Sequence, residues 1–439
     1  MTAVVVFIFT CILLFLGKIV RVNVTLFQKL YLPSSVIGGI IGLLVFTFLG
    51  KYIPDRLHGG LSKMPGFLIN IVFATMFLGV AVPKFKSVIS VALPHFCLGQ
   101  IMAWGQYVVG LSLSGFVLSG LYGLPEVFGN LIEIGFEGGH GTVGGMIESF
   151  KAFGWEEGIA MGFTVATAGM VIGIIVGMAM IQWAYKKGYV KSVVSFENKE
   201  SWEKTGLYLK KDRPSAGKQT VLCDSIDSLA WHIVIIGVVI GIGFLLYSLI
   251  PLRGFPLFPF CMIAGILVES ISRKIGRSLY IDRGQMERIS GASLDFLVVS
   301  AVATIRLDVV TANWQPLLIL IAAGSLWSVV VVMFFGPRIM KDAWFERSIA
   351  EFGQATGVTA TGLMLLRTVD PDNKTVAAMA FGYKQLLHEP FLGGGLWTAM
   401  AFSLVFTIGW QKVLIISTAM LLLWLAFGWF ISKNKEMFS

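Results

Sequence analysis

The chain has 439 residues, of which 56% are apolar and only 13% are charged. Ordinary globular domains carry about 25% charged residues, so the composition excludes a water-soluble core and leaves an integral membrane protein with room for about ten to twelve spanning helices. The formal net charge of +9 does not point to nucleic acid, because the lysines and arginines fall between apolar runs, where they serve anchoring and topology.

Residues 3–17 are apolar and have no lysine or arginine before them. A signal peptide needs a basic start and a small-residue cleavage site, so this stretch reads as a first span with its N-terminus outside. Spans are expected over 33–50, 66–82 and 89–121, then a polar hairpin over 125–152, then a span over 157–185. Residues 188–226 hold the longest charged run and read as a linker, which leaves 1–187 as a first repeat. The second repeat, 227–408, gives spans at 229–250, 256–272, 291–305 and 314–336, a hairpin at 345–368 and a span at 375–408. Residues 409–439 add one helix, 412–432, and a tail with no counterpart in the first half. Cys11, Cys97, Cys223 and Cys261 are scattered with no Cys-x-x-Cys, so neither a disulfide nor a metal site is expected.

The halves echo each other. Glu133 to Met146 lies over Glu351 to Met364 at an offset of 218 residues, aligning Gly135 with Gly353, Gly139 with Gly357 and Gly144 with Gly362. With 50 glycines in the chain, one such match carries little by itself. A second match, Leu32–Ile40 over Phe258–Ile266, aligns Pro33 with Pro259 and Gly39 with Gly265 at an offset of 226. Two matches in one order, at nearly one offset, point to a duplicated unit. If each hairpin dips in and returns, each half crosses five times, and an odd number turns the halves upside down relative to each other. The inner loops then hold Lys18, Arg21, Lys29, Lys84, Lys86, the linker cluster, Arg273, Lys274, Arg277, Arg283, Arg288, Arg338, Lys341, Arg347, Arg367, Lys374, Lys433 and Lys435, against Lys51, Arg56, Lys63, Lys151, Arg253, Arg306 and Lys412 outside. That is the bias of the positive-inside rule. The expected fold is an all-α integral membrane protein of two inverted five-helix repeats, each with a re-entrant hairpin, plus one extra C-terminal helix. The linker and C-terminus face the cytoplasm in this arrangement.

Paired glycine-interrupted segments at matching places in two halves mark a secondary transporter's binding site. Broken backbone at membrane depth survives only where protein or a water-filled cavity satisfies it. The first tip, Gly138, Gly139, His140, Gly141 and Thr142, lets a ligand approach the backbone, and the half-helix after it turns its positive end to the cavity. The second tip offers Thr356, Gly357, Thr359 and Thr361. These nine residues are the candidates for holding a small anionic substrate. Three roles stand open for His140: bonding a substrate carboxylate, relaying a proton, or bonding neighbouring backbone. Glu133 and Glu351 sit on the first arm of each hairpin, facing a polar interior or paired with a partner such as Arg347; Glu137 and Glu148 are placed at the wet rim. Ionisable groups at membrane depth are functional by default, which adds Asp295, Lys384 and His388 as candidates for ion binding or coupling. Lys384 and His388 are four apart and share a helix face, unless Pro390 breaks the span and takes the patch to an interface. No Gly-x-Ser-x-Gly, His-Glu-x-x-His or phosphate loop is present, so an enzyme is not expected.

Four stretches resemble the bacterial glutamate:sodium symporter family: Leu16-Gly17-Lys18 through Leu32-Pro33 to Gly38-Gly39; Gly138-Gly139-His140-Gly141-Thr142; Thr167-Ala168-Gly169-Met170-Val171-Ile172-Gly173; and Gly357-Val358-Thr359-Ala360-Thr361, which is similar to the family's Gly-Ala-Thr-Pro-Thr. They fall in the family's order across most of residues 10–405. The resemblance implies a homodimer, Na⁺ as coupling ion, no other cofactor, and elevator-type movement of a transport domain in the inner membrane. It also implies symport of L-glutamate or a similar anion. Where the family has proline in the second tip this chain has Ala360, and it has Phe136 and Glu137 where small or hydroxyl residues are usual. The alternatives are a carboxylate transporter of the same fold coupled to H⁺ or to exchange, and, in another class, a channel or a transport-inactive sensor.

Overall fold

The computed structural model describes residues 2–80, 85–190, 193, 200–210, 213–249, 254–275 and 280–433. Part of the expected linker, residues 191–192, 194–199 and 211–212, and the expected tail from residue 434 lie outside the described residues. The described residues form helices and no strand. In chain order the principal helices of the first half are α1 (Thr2–Asn23), α2 (Ser34–Leu49), α3 (Met64–Thr75), α4 (Phe85–Leu113), α5 (Leu131–Phe136), α6 (Gly139–Gly145) and α7 (Glu157–Lys186). The second half gives α8 (Ser228–Leu249), α9 (Phe258–Lys274), α10 (Arg283–Ala303), α11 (Trp314–Val330), α12 (Trp344–Val369), α13 (Ala377–His388), α14 (Leu396–Ile408) and α15 (Trp410–Lys433). Among the described residues seven helical stretches are long and apolar enough to cross a membrane: Ala3–Asn23, Ser34–Tyr52, Val91–Tyr122, Glu157–Lys186, Ser228–Leu249, Trp314–Ile339 and Trp410–Lys433.

The helices fall into two compact units. The first holds Met1–Val82, Gly144–Gly154 and Glu200–Ile305. Here α2 packs on α1 and α10, and α9 packs on α8 and α3. Pro33 precedes α2 in an extended conformation and Pro259 sits in the first turn of α9, where a missing N–H leaves nothing unpaired. Small residues then let backbones touch, as membrane helices require. A Cβ on Gly38 would lie 2.4 Å from the carbonyl oxygen of Leu13 on α1. One on Gly39 would lie 2.5 Å from Cβ of Val302 on α10, and one on its counterpart Gly265 would lie 2.8 Å from the carbonyl oxygen of Ala74 on α3. The matched glycines therefore seat each second helix against the third helix of the other half.

Two expected spans of this unit have different limits. The span at 66–82 stops being helical at Thr75. Nη1 of Arg283 takes the carbonyls of Thr75 and Met76 at 2.9 Å and that of Leu78 at 3.2 Å, which satisfies the orphan acceptors of a helix end. The span at 291–305 starts earlier, at Arg283, because the Asp282 carboxylate caps it by accepting from the Gln285 N–H at 3.0 Å.

The second unit holds Pro83–Val143, Trp155–Lys199 and Arg306–Ser439. Its long helix α4 contains Pro94 and continues through a π-turn, Ser114–Leu118, to Tyr122. Gly110 and Gly129 lie backbone to backbone, each where a Cβ would come within 2.2 Å of the other's carbonyl oxygen. The expected span at 375–408 is not one helix: it breaks between α13 and α14. Pro390 cannot continue a helix, and Gly393 and Gly394 turn the chain at φ +68° and +103°, conformations glycine takes without penalty.

Candidate functional site

The second glycine-rich segment folds back on itself within the second unit, and the first breaks there at its tip. α12 reverses at Gly357 (φ −154°, ψ 33°) and Val358 (φ 68°, ψ 169°). Its arms close so tightly that a Cβ on Gly353 would lie 2.7 Å from Cα of Gly362. The other segment breaks at Glu137–Gly138 between α5 and α6, and its two sides return to one place, since Gly162 of α7 faces both Val143 and Leu131. The left-handed residue is Gly139 in the first tip, at φ +65°, and Val358 rather than Gly357 in the second. The tips touch each other: a Cβ on Gly139 would stand 2.3 Å from Cγ1 of Val358. α7 lines the second tip with glycine, Gly169 beneath the Thr356 carbonyl and Gly173 beneath its hydroxyl.

Around these tips lies a buried network of charged and amide side chains. Lys384 of α13 is wholly buried. Its Nζ sits 2.8 Å from Glu351 Oε1, 2.9 Å from Gln385 Oε1 and 3.2 Å from Gln354 Oε1, with Glu137 Oε1 at 3.9 Å. Gly99 of α4 makes room for it, since a Cβ there would come within 2.3 Å of Lys384 Cε. His95 Nε2 lies 3.2 Å from Glu351 Oε2, and His388 Nε2 lies 2.6 Å from Glu137 Oε1. A donor chain fixes the His388 tautomer. The Trp104 indole donates to Gln100 Oε1 at 2.9 Å, so the Gln100 amide N–H faces His388 Nδ1 at 3.1 Å, and the imidazole proton lies on Nε2, toward Glu137. Glu133 is held by neutral donors: the Tyr107 hydroxyl and the Thr398 hydroxyl, each at 2.6 Å, and the Gly393 N–H at 2.9 Å. Glu137 and Glu351 thus face one ammonium, and Glu133 adds a third buried carboxyl group with neutral partners. Charges out of water persist only when paired and hydrogen-bonded, and one oxygen of Glu137, Oε2, has no hydrogen-bond partner among the described residues.

The sequence-derived candidates distribute as follows. His140 Nε2 lies 2.9 Å from the Thr167 hydroxyl and its ring stacks on Phe163. The hydroxyls of Thr142 and Thr356 donate to the carbonyls of Gly138 and Phe352 at 2.9 and 2.8 Å, and that of Thr361 donates to Gly357. Thr359 donates to Glu389 at 2.8 Å and accepts from Gln385 at 2.6 Å. Glu137 is corrected from the rim to the interior, 2% exposed, because His388 and Lys384 draw it inward, whereas Glu148 is exposed and pairs with Lys151. Arg347 does not pair with Glu351; it binds Asp342 at 2.8 Å and the Val91 carbonyl at 2.7 Å. Asp295 belongs to the first unit, where it bonds Ser35. The patch at 383–390 stays buried at Lys384, Gln385 and His388 although Pro390 does end the helix. Residues not singled out from sequence are His95, Gln100 and Tyr107 on α4 and Thr398 on α14. The available signal was a histidine and two amide or phenol groups inside an apolar run.

The sequence profile of the family described as sodium/glutamate symporter matches residues 1–369. No curated protein matches the chain. With most of its length matched, the chain belongs to the sodium/glutamate symporter family, a family of membrane transporters and not of enzymes. Lys384, His388, Gly393 and Thr398 lie beyond the matched residues.

Proposed function

We propose that this member of the sodium/glutamate symporter family carries an anionic amino acid, L-glutamate or a close relative, by Na⁺-coupled symport through the second unit. The observation that carries the reading is the meeting of Gly139 and Val358, two chain reversals from matching places in the two halves, beside the buried carboxylate and lysine network. The substrate is held by Gly138, Gly139, His140, Gly141 and Thr142 on one side and Thr356, Gly357, Thr359 and Thr361 on the other. Glu133, Glu351, Lys384 and His388 serve coupling. The reciprocal packing of Gly39 on α10 and Gly265 on α3 supports the inverted repeats, 1–187 and 227–408, with re-entrant hairpins over 125–152 and 345–368 and an added helix within 409–439. On this reading the second unit moves as an elevator in a homodimer, with the N-terminus outside and the linker and C-terminus cytoplasmic.

A second reading, proton-coupled transport of a carboxylate, is favoured by the His388–Glu137 and His95–Glu351 pairs, each of which sets an imidazole against a buried carboxyl group. Uptake of labelled glutamate into proteoliposomes separates the two. Uptake driven by an inward Na⁺ gradient is the expected result; uptake unchanged when choline replaces Na⁺ discards sodium coupling.

A further inference from the structure

We propose that the Lys384 ammonium is a resident cation. It fills an oxygen-lined position that a monovalent ion such as Na⁺ takes when the lysine is absent, so the protein moves one cation fewer per cycle than it would with a neutral residue there. Four oxygens surround Nζ: Glu351 Oε1 at 2.8 Å, Gln385 Oε1 at 2.9 Å, Gln354 Oε1 at 3.2 Å and Glu137 Oε1 at 3.9 Å. They come from α12, from α13 and from the break before the first tip, and each is a carboxylate or amide oxygen, the donor type that hard cations select. The position is fully shielded, and the Gly99 groove fits the lysine stem to it. His95 meets the other oxygen of Glu351, Oε2, and leaves Oε1 to Nζ, whereas His388 shares Oε1 of Glu137 with the lysine and lies closer to it. Removing one partner of a buried pair leaves an uncompensated charge at high cost. Two carboxylates would then face an emptied position, and refilling it with a cation is the direct remedy. The consequence for coupling rests on the transport reading above; the position itself does not.

The test uses the purified full-length protein, as wild type, Lys384→Met and Lys384→Gln. Thermal unfolding is followed across a NaCl series, with choline chloride holding ionic strength constant. Each variant is expected to gain a Na⁺ response beyond that of the wild type. For every tenfold rise in Na⁺ above its dissociation constant, the variant's folded-to-unfolded ratio rises about tenfold more than the wild type's. Adding Glu351→Gln to Lys384→Met is expected to remove that gain. Equal Na⁺ responses in all three proteins overturn the proposal, as does instability of both variants at every Na⁺ concentration or rescue by acid alone. Wild-type glutamate uptake that ignores Na⁺ would sink the symport reading and leave the difference between variant and wild type standing.

Discussion

A single methyl group on Gly139 tests whether the two tips depend on each other. Gly139→Ala meets two obstacles. Gly139 sits at φ +65°, a left-handed conformation that costs an L-residue about 1–2 kcal/mol. The new Cβ would also stand 2.3 Å from Cγ1 of Val358, where two carbons prefer about 3.5–4.0 Å. Overpacking of that kind costs about 1–3 kcal/mol, so the whole change is expected to destabilise by about 2–5 kcal/mol and to slow Na⁺-driven uptake. The steric part belongs to one atom of the partner, because Cβ of Val358 lies at an ordinary 3.8 Å from the same point. Val358→Ala therefore leaves the backbone term in place and removes the clash, and the double variant is expected to recover about 1–3 kcal/mol together with part of the transport rate. Denaturation and initial uptake rates for wild type, both single variants and the double variant complete the cycle. Additivity of the two changes within about 0.5 kcal/mol would refute the contact between tips.

Tyr107→Phe removes the hydroxyl that donates to Glu133 Oε2 at 2.6 Å in a fully buried site; a drop of about 1–3 kcal/mol in unfolding free energy is expected, and unchanged thermal stability would mean that Glu133 finds another donor. His140→Ala deletes the bond to Thr167 and the ring on Phe163. Uptake should be lost while the protein stays in the membrane at the wild-type level, and wild-type uptake would remove the first tip from the site.

What the sequence revealed and what it hid follow from where the partners come from. Lys384 and His388 were visible because ionisable groups inside a spanning segment are costly and therefore rare. Glu137 was read as rim-facing because its neighbours are glycines, but its partner His388 is 251 residues away, and no local pattern announces such a pair. His95 and Tyr107 were passed over for the opposite reason: the apolar run around them dominated the reading of α4. The break between α13 and α14 is written in Pro390, which the sequence already marks as a point where the span ends, and in Gly393–Gly395. By contrast Pro33, Pro259, Gly39 and Gly265 were legible because the same task, starting a helix and seating it on a neighbour, is done twice with the same residues.

The aligned segments also show where the two halves part. Glu133 and Glu351 are counterparts in the aligned segments, and both end fully buried. Glu133 is surrounded by a phenol, a hydroxyl and a backbone N–H, all neutral. Glu351 faces a lysine and a histidine. A neutral cradle leaves a carboxylate able to attract a mobile cation, whereas an ammonium at 2.8 Å already answers the charge. On the proposed repeat the two carboxylates hold matching positions, and one lysine on α13 makes them inequivalent. If an ion is coupled through a glutamate in this chain, Glu133 is the side on which it has room to act, and Glu133→Gln should alter the Na⁺ dependence of uptake more than Glu351→Gln in the presence of Lys384.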